Sequence, residues 1–140
     1  MRGRLAEGTF KSDIVDKFRQ KFLKEEYRSG NTPAGFSRLL WCNFKEQCKI
    51  YKTELLFQLQ LGIEAVYFYD ERTDELFCTT FEKVSAFINS FEPWDEVDAE
   101  IFDDSMEWVI AVTHEDVSLV FGVDVGIEEY DYERDMAQGE

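Results

Sequence analysis

The residues best suited to chemistry gather in "FDDSMEWVIAVTHEDVSLVFG", residues 102–122. His114, the only histidine, precedes Glu115 and Asp116, with Asp103 and Asp104 upstream. Carboxylates beside an imidazole could ligate a metal or move protons. Cys78 with His114 could form a thiolate–imidazole pair, provided the two come within hydrogen-bond reach. The spacing argues for turns instead. The two acidic clusters flank the strand-like run "EWVIAVT", which would span about 23 Å at roughly 3.3 Å per residue. They therefore lie at opposite ends of a sheet and cannot form one site in a single chain. Neighbouring strand residues also point to opposite faces, so His114 and Glu115 do not naturally converge on an ion. Asp and Ser, by contrast, favour turns because their side chains bond nearby backbone amides. The chain has no Gly-rich phosphate loop, zinc cluster or serine-nucleophile elbow. The expectation is no catalytic residue, no metal and no cofactor.

A second stretch, "EPWDEVDAE", places five acids around Trp94. It reads either as a solvated loop whose Trp94 anchors it to the core, or as a binding edge. An aromatic anchor ringed by acids suits a basic partner. The same carboxylates could stand in for phosphates in a nucleic-acid mimic. The candidate partner-binding residues are Trp94, Asp95, Glu96, Asp98, Asp103, Asp104, Glu115 and Asp116. The tail "EEYDYERD" interleaves acids with Tyr130 and Tyr132, and reads as a solvated extension or as a segment that orders on a basic partner.

Charge bears on the class of partner. Residues 1–62 carry 12 Lys+Arg against 7 Asp+Glu, net +5, and residues 63–140 carry 3 against 23, net −20. Such a surface repels nucleic acid and anionic membranes and attracts basic partners. It also confers solubility without any partner. No stretch approaches the roughly 18 apolar residues that span a bilayer, and the N-terminus lacks the apolar run of a secretory signal. Cys42, Cys48 and Cys78 are odd in number and lack metal spacing, which fits free thiols in a reducing cytoplasm.

These residues must be positioned by a 140-residue chain, long enough to build its own core. "SDIVDKFRQKFLKEEYR" predicts an amphipathic helix capped by Ser12, with Ile14, Phe18 and Phe22 on one stripe. Its lysines, Lys17, Lys21 and Lys24, form a solvated face with Arg28. "SGNTPAG" is a loop by composition. "FSRLLWCNFKEQCKIYK" has helical spacing through Phe36, Leu39, Leu40, Phe44, Cys48 and Tyr51. "TELLFQLQLG" is read as a strand from the alternation of Leu55, Phe57, Leu59 and Leu61, although Leu55, Leu56 and Leu59 would also fit a helix. "EAVYFYD" and "ELFCTTF" form a hairpin around "ERTD". Thr79 and Glu82 have capping-box spacing ahead of the helix "FEKVSAFINSF", which Pro93 terminates. The strands "AEIFD", "EWVIAVT" and "VSLVFGV" complete a meander. The last would turn Val117, Leu119 and Phe121 inward, and the middle one would be covered on both sides. The sum is an α+β fold: N-terminal helices packed on an antiparallel sheet, one inserted helix and a C-terminal β-meander. Helices would cover one face. Residues 1–125 form one domain and 126–140 an acidic, flexible tail.

The segment 92–122, "EPWDEVDAEIFDDSMEWVIAVTHEDVSLVFG", resembles the closing segment of small bacterial immunity proteins of polymorphic-toxin systems, including SUKH-type proteins. In these, an acidic loop, a strand ending in Asp, a Trp-containing strand, a polar turn and a final strand recur. Trp94, Asp103, Trp108, His114, Glu115 and Asp116 are the matching positions. The Leu-Pro and Gly-Gly signatures of SUKH proteins do not occur in the first half. The resemblance implies a non-enzymatic cytoplasmic protein that binds and blocks a basic toxin domain, often a nuclease. The alternatives are an acidic protein-interaction domain, a nucleic-acid-mimicking inhibitor, and an enzyme that uses carboxylates.

Overall fold

A computed structural model describes residues 3–27 and 39–131. The chain opens with a short strand, β1 (Arg4–Ala6), and helix α1 (Gly8–Phe22). Ile14, Phe18 and Phe22, four residues apart, are the buried stripe of α1, as their spacing predicts. Ser12 is not its N-cap. The helix begins four residues earlier, where Glu7 is extended and offers no side-chain cap. β1 is already held in the sheet, and Gly8, at φ 59°, turns the chain directly into the helix.

The predicted extension of α1 beyond Phe22 also fails over the described residues 23–27, and Arg28 lies outside them. Leu23 bridges Phe44, the Lys24 amide donates to the Asn43 carbonyl, and the Lys45 amide donates to the Phe22 carbonyl. This pairing outcompetes further helix and leaves a 3-10 turn at Glu25–Tyr27. The "SGNTPAG" loop and Phe36 lie outside the described residues. The helix predicted after them is instead a 3-10 turn, Leu40–Asn43, followed by strand β2 (Lys49–Lys52). The strand predicted over 54–61 is replaced by a one-turn helix, α2 (Thr53–Leu56), that buries Leu56 and, just after it, Phe57. At β2 the sheet's open edge beside its last strand overrides local helical spacing; at α2 the helical alternative of Leu55 and Leu56 prevails over the alternation.

From there the expected elements appear. β3 (Ala65–Asp70) and β4 (Glu75–Thr80) form the hairpin. Helix α3 (Phe81–Asn89) follows, capped by Thr80 rather than Thr79: the Lys83 amide donates to the Thr80 hydroxyl at 3.2 Å. β5 (Ala99–Phe102), β6 (Val109–Val112) and β7 (Val117–Phe121) close the meander. Among the described residues the sheet has seven strands in the order β1-β4-β3-β5-β6-β7-β2, with every pair antiparallel. The chain thus has an α+β fold.

Helices cover both faces of this sheet, not one. α1 packs on Tyr67, Tyr69, Leu76, Phe102 and Val109, with the Phe18 ring 4.9 Å from Phe22 and 4.6 Å from Phe102. On the other face α3 packs Phe81, Val84 and Ile88 against Phe68, Ile101, Ile110 and Val120. Every residue of β5 and β6 is buried, as the unbroken apolar middle of "EWVIAVT" implies. β7 does not alternate as expected: Ser118 and Val120 are buried, while Leu119 and Phe121 are half-buried. Trp108 is buried. Gly122, at φ 82°, lies against the Glu107–Trp108 backbone, where any Cβ would collide with the Glu107 carbonyl oxygen. No helix among the described residues is long and apolar enough to cross a membrane.

Candidate functional site: an acidic cleft at one end of the sheet

The opposed-ends reading of the acids holds. Asp103 and Asp104 follow β5, and His114, Glu115 and Asp116 form the turn after β6. At the first end the acids serve their own turn. The Asp103 carboxylate accepts from the Ser105 amide at 3.0 Å and from the Ser105 hydroxyl. The Tyr67 hydroxyl donates to Asp104. Burial, then this bond to a carboxylate, pushes the Tyr67 phenol well above its usual range. Cys78 is level with this end, since Tyr67 pairs with both Cys78 and Phe102. His114 lies beyond the other end of β6, so the two cannot meet as nucleophile and base.

At the second end the "HED" turn is built by Thr113. Its amide and hydroxyl both donate to the Val117 carbonyl, and its hydroxyl accepts the Glu115 amide. Asp116 takes φ 64°, a conformation that Asp tolerates better than most residues. Its carbonyl accepts the Thr53 amide, tying α2 to the turn.

The residue that organises this end is Asp98. Expected among the exposed loop acids, it is 1% exposed and cannot face a partner. Its carboxylate accepts from Arg72 Nε at 2.8 Å, from the His114 ring Nδ1 at 2.9 Å and amide at 3.1 Å, and from Trp41 Nε1 at 3.0 Å. Burial alone would raise the Asp98 carboxyl. The bonds from His114, Arg72 and Trp41 outweigh it and hold the group below its ordinary range. The same bond raises the His114 imidazole. Arg72 also reaches Glu96 at 3.2 Å. Sequence spacing could not reveal this cluster, whose members lie up to 73 positions apart, from Trp41 to His114.

This framework fixes the 92–98 loop against the "HED" turn and leaves a cleft of about 720 Å³ beside them. Five carboxylates line it: Glu54, Glu92, Asp95, Glu115 and Asp116. Lys52 is also in the lining. Asp95 closes its own loop by accepting the Glu92 amide at 2.9 Å. Between Pro93 and Asp95, which line the cleft, Trp94 is 77% exposed. Trp94 therefore does not anchor the loop to the core. The structure thus gathers Asp95, Glu115 and Asp116 on one concavity, with Trp94 exposed between two of its lining residues and Glu96 next in the loop on Arg72. It leaves Asp103 and Asp104 at the far end of the sheet.

The start of the expected tail also lies near the cleft. Tyr130 donates its amide to the Ile50 carbonyl at 2.7 Å, its ring sits 5.4 Å from the Lys52 ammonium, and it lines the cleft. Tyr132 and residues 133–140 lie outside the described residues. Among the described residues, no three His, Cys, Asp or Glu side chains gather as metal ligands. The three cysteines are free thiols, and burial together with Glu46 pushes the Cys48 thiol up to about 11. Compared with protein-family models, with curated proteins and with solved structures, the chain matches none.

Proposed function

We propose that this chain is a binding protein of the immunity type, one that captures a basic toxin domain and occludes it through the acidic cleft. The observation that carries the reading is the convergence of five carboxylates on one cleft beside a largely exposed tryptophan. A large aromatic left in water at a concave acidic site has the composition of an interface anchor. Although Lys52 shares the lining, no ion pair among the described residues holds these five carboxylates, and they can steer and hold lysines or arginines. The likeness of 92–122 to immunity proteins supports the toxin-blocking form of this reading and a place for it in a bacterial cytoplasm. No catalytic step is assigned: the one histidine is committed to Asp98 and is remote from Cys78.

The test is a pull-down from the native host followed by co-expression of the captured protein with and without this chain. The reading expects a basic partner whose toxicity is relieved by the wild-type chain and not by a Trp94→Ala, Asp95→Asn, Glu115→Gln variant. Capture that is indifferent to this variant would move the interface elsewhere. A partner that carries nucleic-acid-binding activity, blocked in competition with DNA, would select the mimic form of the same surface.

A further inference from the structure

Beneath the Leu40–Asn43 turn lie two carboxyl groups that the cleft does not use. Glu100, in the middle of β5, is 0% exposed, and neither of its oxygens has a hydrogen-bond partner. Glu71, just after β3, accepts the Leu40 amide at 2.6 Å through Oε1, while its buried Oε2 has none. The two carboxyls interact directly, with Asp98 close by. Two bare carboxylates have no donor between them. A single proton turns the pair into an O–H donor and an acceptor and satisfies the oxygens that face each other. An unpartnered buried charge is otherwise among the most expensive features a fold can carry.

We propose that Glu71 and Glu100 hold one proton between them, and that this proton latches the Leu40–Asn43 turn onto the sheet. The turn docks through the Leu40 amide on Glu71 and through Trp41 Nε1 on Asp98. The groups facing the pair do not supply a substitute for the proton. Arg19 of α1 acts on Glu100 but donates its bond to the Tyr27 carbonyl at 3.3 Å. The Tyr69 hydroxyl of β3 is spent on Asp74 at 2.6 Å. Arg72 is spent on Asp98 and Glu96. From β6, the residue opposite Glu100 is Ala111. Burial, then the neighbouring carboxylates, raises Glu100 well above its ordinary 4.5, and burial raises Glu71 as well. The folded chain therefore keeps a proton that the unfolded chain loses. The latch is complete below the ordinary glutamate value and is lost as pH rises through the folded value. Above that point two charges share a dry site, and the turn lifts.

The test is a pH titration of the full chain by NMR, following the Glu100 carboxyl carbon and the Leu40 amide, alongside melting temperatures. In the wild type the Glu100 carboxyl should titrate above the ordinary glutamate value. Its deprotonation should coincide with a shift of the Leu40 amide and a fall in melting temperature. Glu100→Gln, which keeps a donor without a titrating proton, should abolish the amide shift and the part of the pH slope of melting that coincides with it, leaving the slopes due to Asp98 and His114. A Glu100 carboxyl that titrates at or below the ordinary glutamate value, or one that titrates without moving Leu40, would overturn the latch. So would an unchanged pH slope in E100Q. If that variant fails to fold, the wild-type carboxyl and amide titrations decide alone.

Discussion

The two ends of the central strands carry turns of nearly the same composition and use them differently. After β5, Asp103 and Asp104 accept from Ser105 and from the Tyr67 hydroxyl, so their charge is absorbed by the fold. Beyond β6, the buried Asp98 accepts from the side chains of Arg72, His114 and Trp41. Asp95, Glu115 and Asp116 face the cleft instead, Asp95 keeping only a bond from the Glu92 backbone amide. Composition alone therefore does not mark a binding acid. What marks it is whether a donor side chain has already claimed it.

The comparison breaks first at the tryptophans. Trp108 is buried beside β6 and Trp94 is 77% exposed. Trp108→Ala should cost about 3–5 kcal/mol in chemical denaturation, whereas Trp94→Ala should stay within about 0.5 kcal/mol, as surface changes do. Equal losses would show that the 92–98 loop is packed rather than presented.

A smaller effect follows at Asp98. Asp98→Ala strands Arg72 and His114, which are partly exposed, so water recovers some of the loss. A cost of about 2–3 kcal/mol is expected, near the lower limit for a broken buried pair. Asp103→Ala, a turn cap, should cost about 1 kcal/mol. If Asp98→Ala proves as mild as Asp103→Ala in the same denaturation series, the hub assignment fails. Neutralising the 92–98 loop should thus cost less at Asp95 and Glu96 than at Asp98, a distinction that exposed-loop reasoning misses.

The pair also sets a pH window. Asp98 is held below 3.8, so its contribution is present above that value and lost as pH falls through its folded value. His114 is held above 6.5, so its contribution is complete below 6.5 and fades as pH rises through its folded value. An NMR titration of the imidazole should place its midpoint above 6.5 in the wild type and lower it in Asp98→Asn. A midpoint that ignores the substitution would remove Asp98 as the cause.

The second half of the fold was legible because its elements are decided locally. The hairpin, α3 and the meander have strong periodicity, and their turns have turn residues. The first half was not, because tertiary pairing decides it. Residues 49–52 become an edge strand only because β7 needs a neighbour, and α1 stops at Phe22 because the next residues pair with 43–45. At the site, the exposed members Trp94, Asp95, Glu115 and Asp116 were visible as acids and an aromatic in turns. Glu54 and Glu92 were missed as cleft residues, the first because its segment was read as a strand. Asp98, Glu71 and Glu100 could not be sorted from other acids, since burial is a property of the folded neighbours and not of the residue type.

The central claim is that the cleft acids, which no donor side chain claims, capture a basic partner while the side-chain-bonded acids of the β5–β6 turn do not. The direct measurement is the association rate of the captured partner across a salt series, for three forms of the chain. The first is wild type, the second carries Asp95→Asn, Glu115→Gln and Asp116→Asn, and the third carries Asp103→Asn and Asp104→Asn. Exposed charges steer encounter and are screened beyond about 8 Å at physiological ionic strength. The account predicts a wild-type rate that falls with salt, a slower and flatter rate for the cleft variant, and wild-type behaviour for the β5–β6 turn variant. Equal slowing by both variants, or a wild-type rate indifferent to salt, would contradict it.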